Sequence, residues 1–470
     1  MDVTPFDRAV LARLPLAEAV LLTLQHTTLP GYCLELFDRL RGSCYTRLLT
    51  FDTFVSLLGD ALLRYRGSGR KACAEATRQG RLTTSFQAFY SKLARLPLPL
   101  SEGFLAENSA RLALLFPPTL PSPIPAALAS FQVQVIDGKV IKRVAKRLKA
   151  LRRQGGGILG GKGLVSLNGH TGLITAMASS SDGLTNDCAL VPALVAQVRP
   201  LVSGTILWLA DCQFCDLNQV EAFTAHGHHF LVRYHPRTHF CPDPARPAQA
   251  GQDGDGRPWV QEWGWLGRAG NPRRRYVRRV TLERPGQTAV TLVTDLLDAA
   301  AYPAAALLAL YLQRWGIERV FQKITEVFSL ERLISSSPRG TVFQLSFCLV
   351  LYNLIQVVRG YVATGQDVPA DEVSTEMVFE DVREELTALA KVVDREVIPQ
   401  LVPSLSSVAQ VRARLTQLLG GLWKPIWRKT RNQKRRAHPA KVTARGHASA
   451  QRVLANTKQQ NAPETVANRC

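Results

Sequence analysis

Acidic residues are scarce in this sequence: 37 Asp and Glu stand against 58 Lys and Arg, a formal charge of +21. A chain so short of negative charge argues for a polyanionic partner, and nucleic acid is the commonest. Charge carried for solubility alone is the weaker reading, because the excess is clustered. Long apolar runs are also missing, with no uninterrupted stretch of about 18 residues. The longest candidate, FQLSFCLVLYNLIQVV at 343–358, is broken by Gln344, Asn353 and Gln356 and predicts a buried helix. MDVTPFDRAV has an acid where a signal peptide needs a basic start and an apolar run. Nine cysteines, an odd number without regular spacing, exclude a disulfide framework and predict a reducing, cytoplasmic setting.

Two further motifs fall short of their chemistry. Cys212-x2-Cys215, with His226, His228, His229, His235, His239 and Cys241 downstream, lacks a second CxxC and matches no regular zinc finger. Gly155–Gly157 and Gly160, Gly161 and Gly163 lack the strand-loop-helix setting and GK[ST] ending of a nucleotide loop, and predict a flexible turn before a hairpin.

What is present is a 470-residue chain, 46% apolar and 20% charged, long enough for two or three domains. Residues 1–115 show helical apolar spacing and read as an N-terminal DNA-binding region, with a basic run at 64–81 as part of an end-recognition domain that carries no clean helix-turn-helix signature. FPPTLPSPIP, residues 116–125, holds five prolines and predicts a linker at a domain boundary. From 126 to 236 the pattern becomes strand, hairpin, helix, strand, helix, strand. FQVQVID (131–137) alternates and stops at Asp137, and GTILWLAD is the continuous apolar run of a doubly buried strand ending at Asp211. Residues 237–300, rich in Gly, Pro and Arg and carrying Trp259, Trp263 and Trp265, read as a β-rich insertion. One helix follows through LYLQRWGIERVFQKITEVFSL, within a segment from 301 to 345, then more helices from 346 to about 420. Residues 421–470 hold 12 Lys and Arg against one acid and predict a disordered electrostatic tail.

In this α/β order the strands ending in Asp137 and Asp211 can lie parallel and adjacent, so that their carboxylates leave the same sheet edge. The helix of 310–330 can bring Glu318 across that edge. Three converging carboxylates need neutralising cations, and hard oxygen ligands suit Mg²⁺. Two ions in such a site activate an attacking oxygen and stabilise a leaving one in phosphodiester displacement. Taken singly, each aspartate is as readily a turn or cap residue, and Glu318 an i,i+4 partner of Arg314. At roughly 100° per residue, Tyr311, Arg314, Glu318 and Thr325 fall on one side of the helix. Lys139, Lys142, Arg143, Lys146, Arg147, Lys149, Arg152 and Arg153 form an acid-free basic stretch, read as a track for a phosphate backbone or else a solvated helix face.

Tyr311, Arg314 and Glu318 match in type and spacing the Tyr-x2-Arg-x3-Glu-x6-Lys signature of a group of DDE transposases of bacterial insertion sequences. VIDG at Asp137 and LWLAD at Asp211 resemble that group's first two acidic motifs. The resemblance covers roughly 125–360. It implies an RNase H-like core in which Asp137, Asp211 and Glu318 hold two Mg²⁺ (or Mn²⁺) ions, cut the element's ends and join the freed 3′-hydroxyl to target DNA. It further implies that Tyr311 and Arg314 hold terminal phosphates, that a tryptophan of the insertion such as Trp265 stacks on a flipped base, and that a homodimer holds two DNA ends. The signature's lysine falls at Thr325; Lys323 is two residues away, about 200° around the helix. Thr325 keeps open a catalytically impaired end-binding protein or repressor, and the fold also admits a nuclease without strand transfer.

Overall fold

The computed structural model describes residues 2–27, 30–44, 48–65, 67–314, 316–327, 330, 335–394, 396–429 and 446–460. Seven helices come first: α1 (Pro5–Ala12), α2 (Pro15–Thr27), α3 (Pro30–Leu40), α4 (Phe51–Leu63), α5 (Gly69–Arg78), α6 (Phe86–Arg95) and α7 (Leu98–Leu115). The mixed α/β part follows with β1 (Gln132–Val140), α8 (Lys149–Arg152), β2 (Ile158–Leu159), β3 (Lys162–Asn168), β4 (Ile174–Ser180), α9 (Val191–Val198), β5 (Ile206–Ala210), α10 (Leu217–Thr224) and β6 (His229–Arg233). Five short strands then run from 240 to 294: β7 (Phe240–Pro242), β8 (Gln249–Gln252), β9 (Pro258–Leu266), β10 (Arg275–Leu282) and β11 (Val290–Thr294). The chain closes with α11 (Ala304–Gln313), α12 (Gly316–Glu326), α13 (Pro338–Gly365), α14 (Thr375–Val392), α15 (Ile398–Leu401), α16 (Val408–Leu419), β12 (Ala448–Ser449) and α17 (Ala450–Gln460).

One mixed sheet organises the molecule, in the order β4-β3-β1-β5-β6-β11-β10-β9-β7, with β8 also on β9. β4, β3 and β1 are antiparallel neighbours, whereas β1, β5 and β6 are parallel. β11 pairs antiparallel with β6, so the strands of 240–294 extend this sheet instead of forming a separate one. Parallel strands are buried on both faces, which is why β5 reads ILWLA without a polar residue. Alternation splits it: Ile206, Trp208 and Ala210 pack toward α9 and α10, with Trp208 stacked on Phe223, while Leu207 and Leu209 face the larger core around α11 to α13.

Helix α13 is the centre of that larger core. Its 28 residues are long and apolar enough to cross a membrane, but the apolar window is wholly buried inside the protein. Phe343 packs against Phe51, Phe54 and Phe104, with ring centroids 5.9, 5.6 and 5.4 Å away. Asn353 bridges Ser109 and the backbone of Ile174. The proline-rich stretch therefore does not separate two cores, because the helices before it and the helix at 338–365 bury their apolar faces against each other. The prolines break the secondary structure there; long-range apolar contacts close over the break.

Four other sequence expectations change. Strand β1 does not stop at Asp137 but continues to Val140, because β3 supplies partners as far as Val140↔Lys162. The helix expected through 310–330 is broken at Arg314. The Arg314 N–H donates to the Tyr311 carbonyl (3.0 Å) and the Ile317 N–H to the Arg314 carbonyl (3.1 Å), both tightened i→i+3 bonds. The glycines at 160 and 161 are packed, not a flexible turn: a Cβ on Gly161 would lie 2.3 Å from Val342 Cγ2 and 2.8 Å from the Ser180 carbonyl oxygen. In the tail expected to be disordered, β12 pairs with β2 and α17 packs against α8, with Ala450 fully buried. The rest of that expectation, at 430–445 and 461–470, lies outside the described residues.

Candidate active site

The sheet register brings the two aspartates together. β1 and β5 pair from Gln132↔Ile206 to Val135↔Leu209, and two residues further the same offset sets Asp137 beside Asp211, on strands about 4.8 Å apart. Alternation sends Asp137 to the side of Val133 and Val135, and Asp211, still extended at φ −79 and ψ 175, to the side of Leu207 and Leu209. That is the face covered by α11 and α12. Helix α12 holds itself there through Ile317, Val320, Phe321 and Ile324, all buried, which turns Glu318 outward at the rim with its side chain 55% exposed.

Arg314 ties the group. It is 3% exposed, and its Nη2 donates to Glu318 Oε1 at 3.1 Å. Its Nε and Nη1 are buried with no hydrogen-bond partner among the described residues. Burial pushes the Asp137 carboxyl up to about 6, against the pull of the Gly138 N–H and of Arg314; Glu318 and Asp211 push it further up. Each of the three carboxylates is thus within electrostatic reach of Asp137 or Arg314. Tyr311 donates to Asp211 Oδ1 at 3.5 Å, and burial pushes its phenol up, so it stays a donor. The break at Arg314 has not dispersed the row of Tyr311, Arg314 and Glu318; it places the guanidinium between the carboxylates.

The donor set is one of hard oxygens, as a divalent cation of the magnesium class requires. Among the described residues no three acidic, His or Cys groups already stand as a metal-holding cluster. Glu318 is instead engaged by Arg314, so closing a cluster requires Glu318 to exchange that partner.

Beside Glu318 opens a groove of about 500 Å³, lined by Gly138, Lys139, Lys142, Arg143, Gln322 and Thr325 among others. Lys142 and Arg143 thus face it. Lys146 and Arg147 turn elsewhere: Lys146 donates to the Gln154 carbonyl, and Arg147 engages Tyr90 of the N-terminal helices. The basic stretch is not one helix; only Lys149–Arg152 is helical, and Arg143 adopts a left-handed φ of 59°. Gly138 leaves room for Asp187, whose carboxylate would lie 2.2 Å from a Cβ at 138 and which pairs with Lys162 at 2.8 Å.

Sequence reasoning placed Lys139 in the basic stretch without its contact to Thr325, and missed Arg233. Lys139, carried by the unexpected extension of β1, donates through Nζ to Thr325 Oγ1 at 2.9 Å and to the Phe321 carbonyl at 3.3 Å. The lysine that the signature sets at 325 is absent from α12, yet an ammonium reaches the same spot from the sheet. Arg233, at the end of β6, extends its field to Tyr311 and Cys212. Its only sequence signal is a cation closing a strand in HHFLVRYH. Of the three tryptophans, Trp263 is fully buried and donates to the Leu297 carbonyl at 2.9 Å, and Trp259 is partly buried. Trp265 is 38% exposed, with Arg274 4.6 Å from its ring centroid and Tyr276 edge-on at 5.1 Å; these partners lie within the 240–294 strands, not at the carboxylates.

Residues 129–354 match the family model described as the transposase DDE domain, and all three carboxylates fall inside that span. The match covers 226 of the 470 residues. No curated protein matches the chain significantly. Among solved structures the chain is similar to the piggyBac transposase in its synaptic complex with hairpin DNA, at 12% identity over 85% of each chain and a TM-score of 0.36. An overlap that loose does not establish a shared fold.

Proposed function

We propose that this protein is a cut-and-paste DNA transposase of a bacterial insertion sequence, built on an RNase H-like core and acting in the cytoplasm on nucleoid DNA. The observation that carries the reading is the register of β1 and β5, which makes Asp137 and Asp211 lateral neighbours under the helix that bears Glu318. The strand order, three antiparallel strands followed by two parallel ones, supports the RNase H-like assignment.

In this reading Asp137, Asp211 and Glu318 hold two divalent ions, Mg²⁺ or Mn²⁺, which supply Lewis acidity to the attacking and leaving oxygens. Arg314 presents the unpartnered Nε and Nη1 groups of a buried guanidinium, charge-assisted donors for a phosphate. As a phosphate engages Arg314, Glu318 is released toward the aspartates. Tyr311 keeps its proton and hydrogen-bonds Asp211, orienting that carboxylate. Lys139, Lys142 and Arg143 line the groove through which the strand leaves. Trp265 offers the more accessible indole of the insertion for stacking on an unpaired base. A homodimer holds the two ends.

The test is a nicking and joining assay on the element's own terminal sequences. The protein is expected to nick in Mg²⁺, to stop on chelation, and to yield joined products with target DNA. Nicks without joined products point to a nuclease of the same fold. Binding without nicking points to an end-binding derivative, a reading favoured by Thr325 and by the engagement of Glu318 with Arg314.

Lys139 sharpens the choice. Lys139→Ala is expected to slow end cleavage by about 10- to 100-fold, the scale of one lost charge-assisted contact. Thr325→Lys in that background is expected to restore most of the rate, because it returns an ammonium to the same place. Thr325→Lys alone should bring no gain, since Lys139 already fills the position. Single-turnover cleavage of the four proteins decides; a double variant as slow as Lys139→Ala assigns Lys139 a packing role.

A further inference from the structure

Around α12 from Glu318 lies a second concentration of positive charge. On a wheel of about 100° per residue, Arg319 and Lys323 stand roughly 100° and 140° from Glu318. Lys323 Nζ reaches across to the start of α14 and donates to Thr375 Oγ1 at 2.7 Å. Arg359, from α13, donates to the same oxygen at 3.1 Å, and Gln356 at 3.4 Å. Thr375 is buried, and a hydroxyl oxygen has two lone pairs for these three donors. Arg359 Nε is also buried, with no partner among the described residues. Lys429 approaches from the segment after α16, its Nζ donating to the Asp371 carbonyl. Donors therefore outnumber acceptors in a partly enclosed place.

The charge balance points the same way. Arg359, Lys429 and Arg319 all act on Lys323, and Glu376 opposes them there; Asp371 acts on Arg359 and Lys429. Burial first, then these three cations, pull the Lys323 ammonium down to about 6. Four basic side chains brought together against two carboxylates leave an excess of positive charge that a bound anion neutralises.

We propose that Lys323 and Arg359, which meet at Thr375 between α12, α13 and α14, form with the neighbouring Lys429 and Arg319 a phosphate-binding site separate from the carboxylate site. The phosphate belongs to a nucleic-acid strand, an assignment that rests on the transposase reading. Lys323 is five residues beyond Glu318, about 7.5 Å along the helix axis and roughly 140° around it, so the site lies on another flank of α12 from the groove and takes a different phosphate of the bound nucleic acid. The phosphate oxygens take the Arg359 Nε and relieve the crowded Thr375 hydroxyl, and Lys323 becomes charged when they bind.

The test uses the full chain and three variants, Arg319→Gln, Lys323→Met and Lys429→Gln; Arg319 is exposed, so its replacement does not threaten the fold. Thermal unfolding in potassium phosphate against potassium chloride of equal ionic strength reads the site directly. Phosphate is expected to raise the wild-type melting temperature, and this shift should vanish in Lys323→Met and shrink in the other two. Lys323→Met should also melt higher than wild type in chloride, since it removes an amine held among cations. In parallel, the affinity for the element's terminal duplex is measured against salt concentration, and each variant is expected to lower the slope by about one. No phosphate shift in the wild type, with salt slopes unchanged in every variant, overturns the site whatever the wild type does to DNA. A phosphate shift lost in the variants, with slopes unchanged, overturns the strand assignment and leaves a site for free phosphate. A wild type that ignores DNA while keeping a variant-sensitive phosphate shift removes the transposase reading and leaves the site in place.

Discussion

Asp211→Ala is expected to lower end nicking by at least about 10³-fold while leaving affinity for terminal DNA unchanged. Asp211 closes a strand that is buried along its whole length, so its backbone is held by Leu207 to Ala210 and not by its own side chain. Removing the carboxylate strips one acceptor from Tyr311 and leaves the sheet intact. In the proposed reading DNA affinity rests on the basic groove residues and Arg314, all of which the substitution leaves in the chain. Single-turnover nicking with Mg²⁺, beside a mobility-shift titration, separates the two effects. Nicking within tenfold of wild type would remove Asp211 from the chemistry and with it the three-carboxylate reading.

The second large effect concerns stability. Phe343→Ala is expected to destabilise the protein by about 3–5 kcal/mol, the cost of truncating a fully buried aromatic that its surroundings cannot refill. Phe343 is fully buried, and three phenylalanines of the N-terminal helices close around it. Its loss therefore loosens the contact between the N-terminal helices and α13, not α13 alone. A lower urea midpoint with an unchanged slope reports this as a loss of stability of the whole unit. A separate early transition of the N-terminal helices, with the main one unmoved, would mean that the two sides of the proline-rich stretch do not share a core. Phe343→Leu, which keeps most of the volume, should cost under about 1.5 kcal/mol.

Much of the site is legible along the chain. Asp137 and Asp211 each follow a strand pattern, and the β-α-β spacing between them is that of parallel neighbours; the observed register pairs the two strands up to Val135 and Leu209, two residues before the aspartates. Tyr311, Arg314 and Glu318 follow from helical periodicity, although the i→i+3 bonds at Arg314 break the helix within the row. Local periodicity does not register such a break. Nor does it register that β3 extends β1 past Asp137, because a strand ends where its partner ends and the partner is more than twenty residues away.

The sequence by itself determined the excess of basic residues, the two strands with their terminal aspartates and the helical signature that carries Glu318. Those are properties of composition and short-range spacing, which survive in any conformation of the chain. Only the tertiary structure decided that Lys139 meets Thr325 across 186 positions, that Arg314 sits buried among the carboxylates, and that Lys323, Arg359 and Gln356 converge on one threonine. The reason is physical: a charge acts over a few ångströms of space, and which charges come that close is set by how buried apolar faces pack.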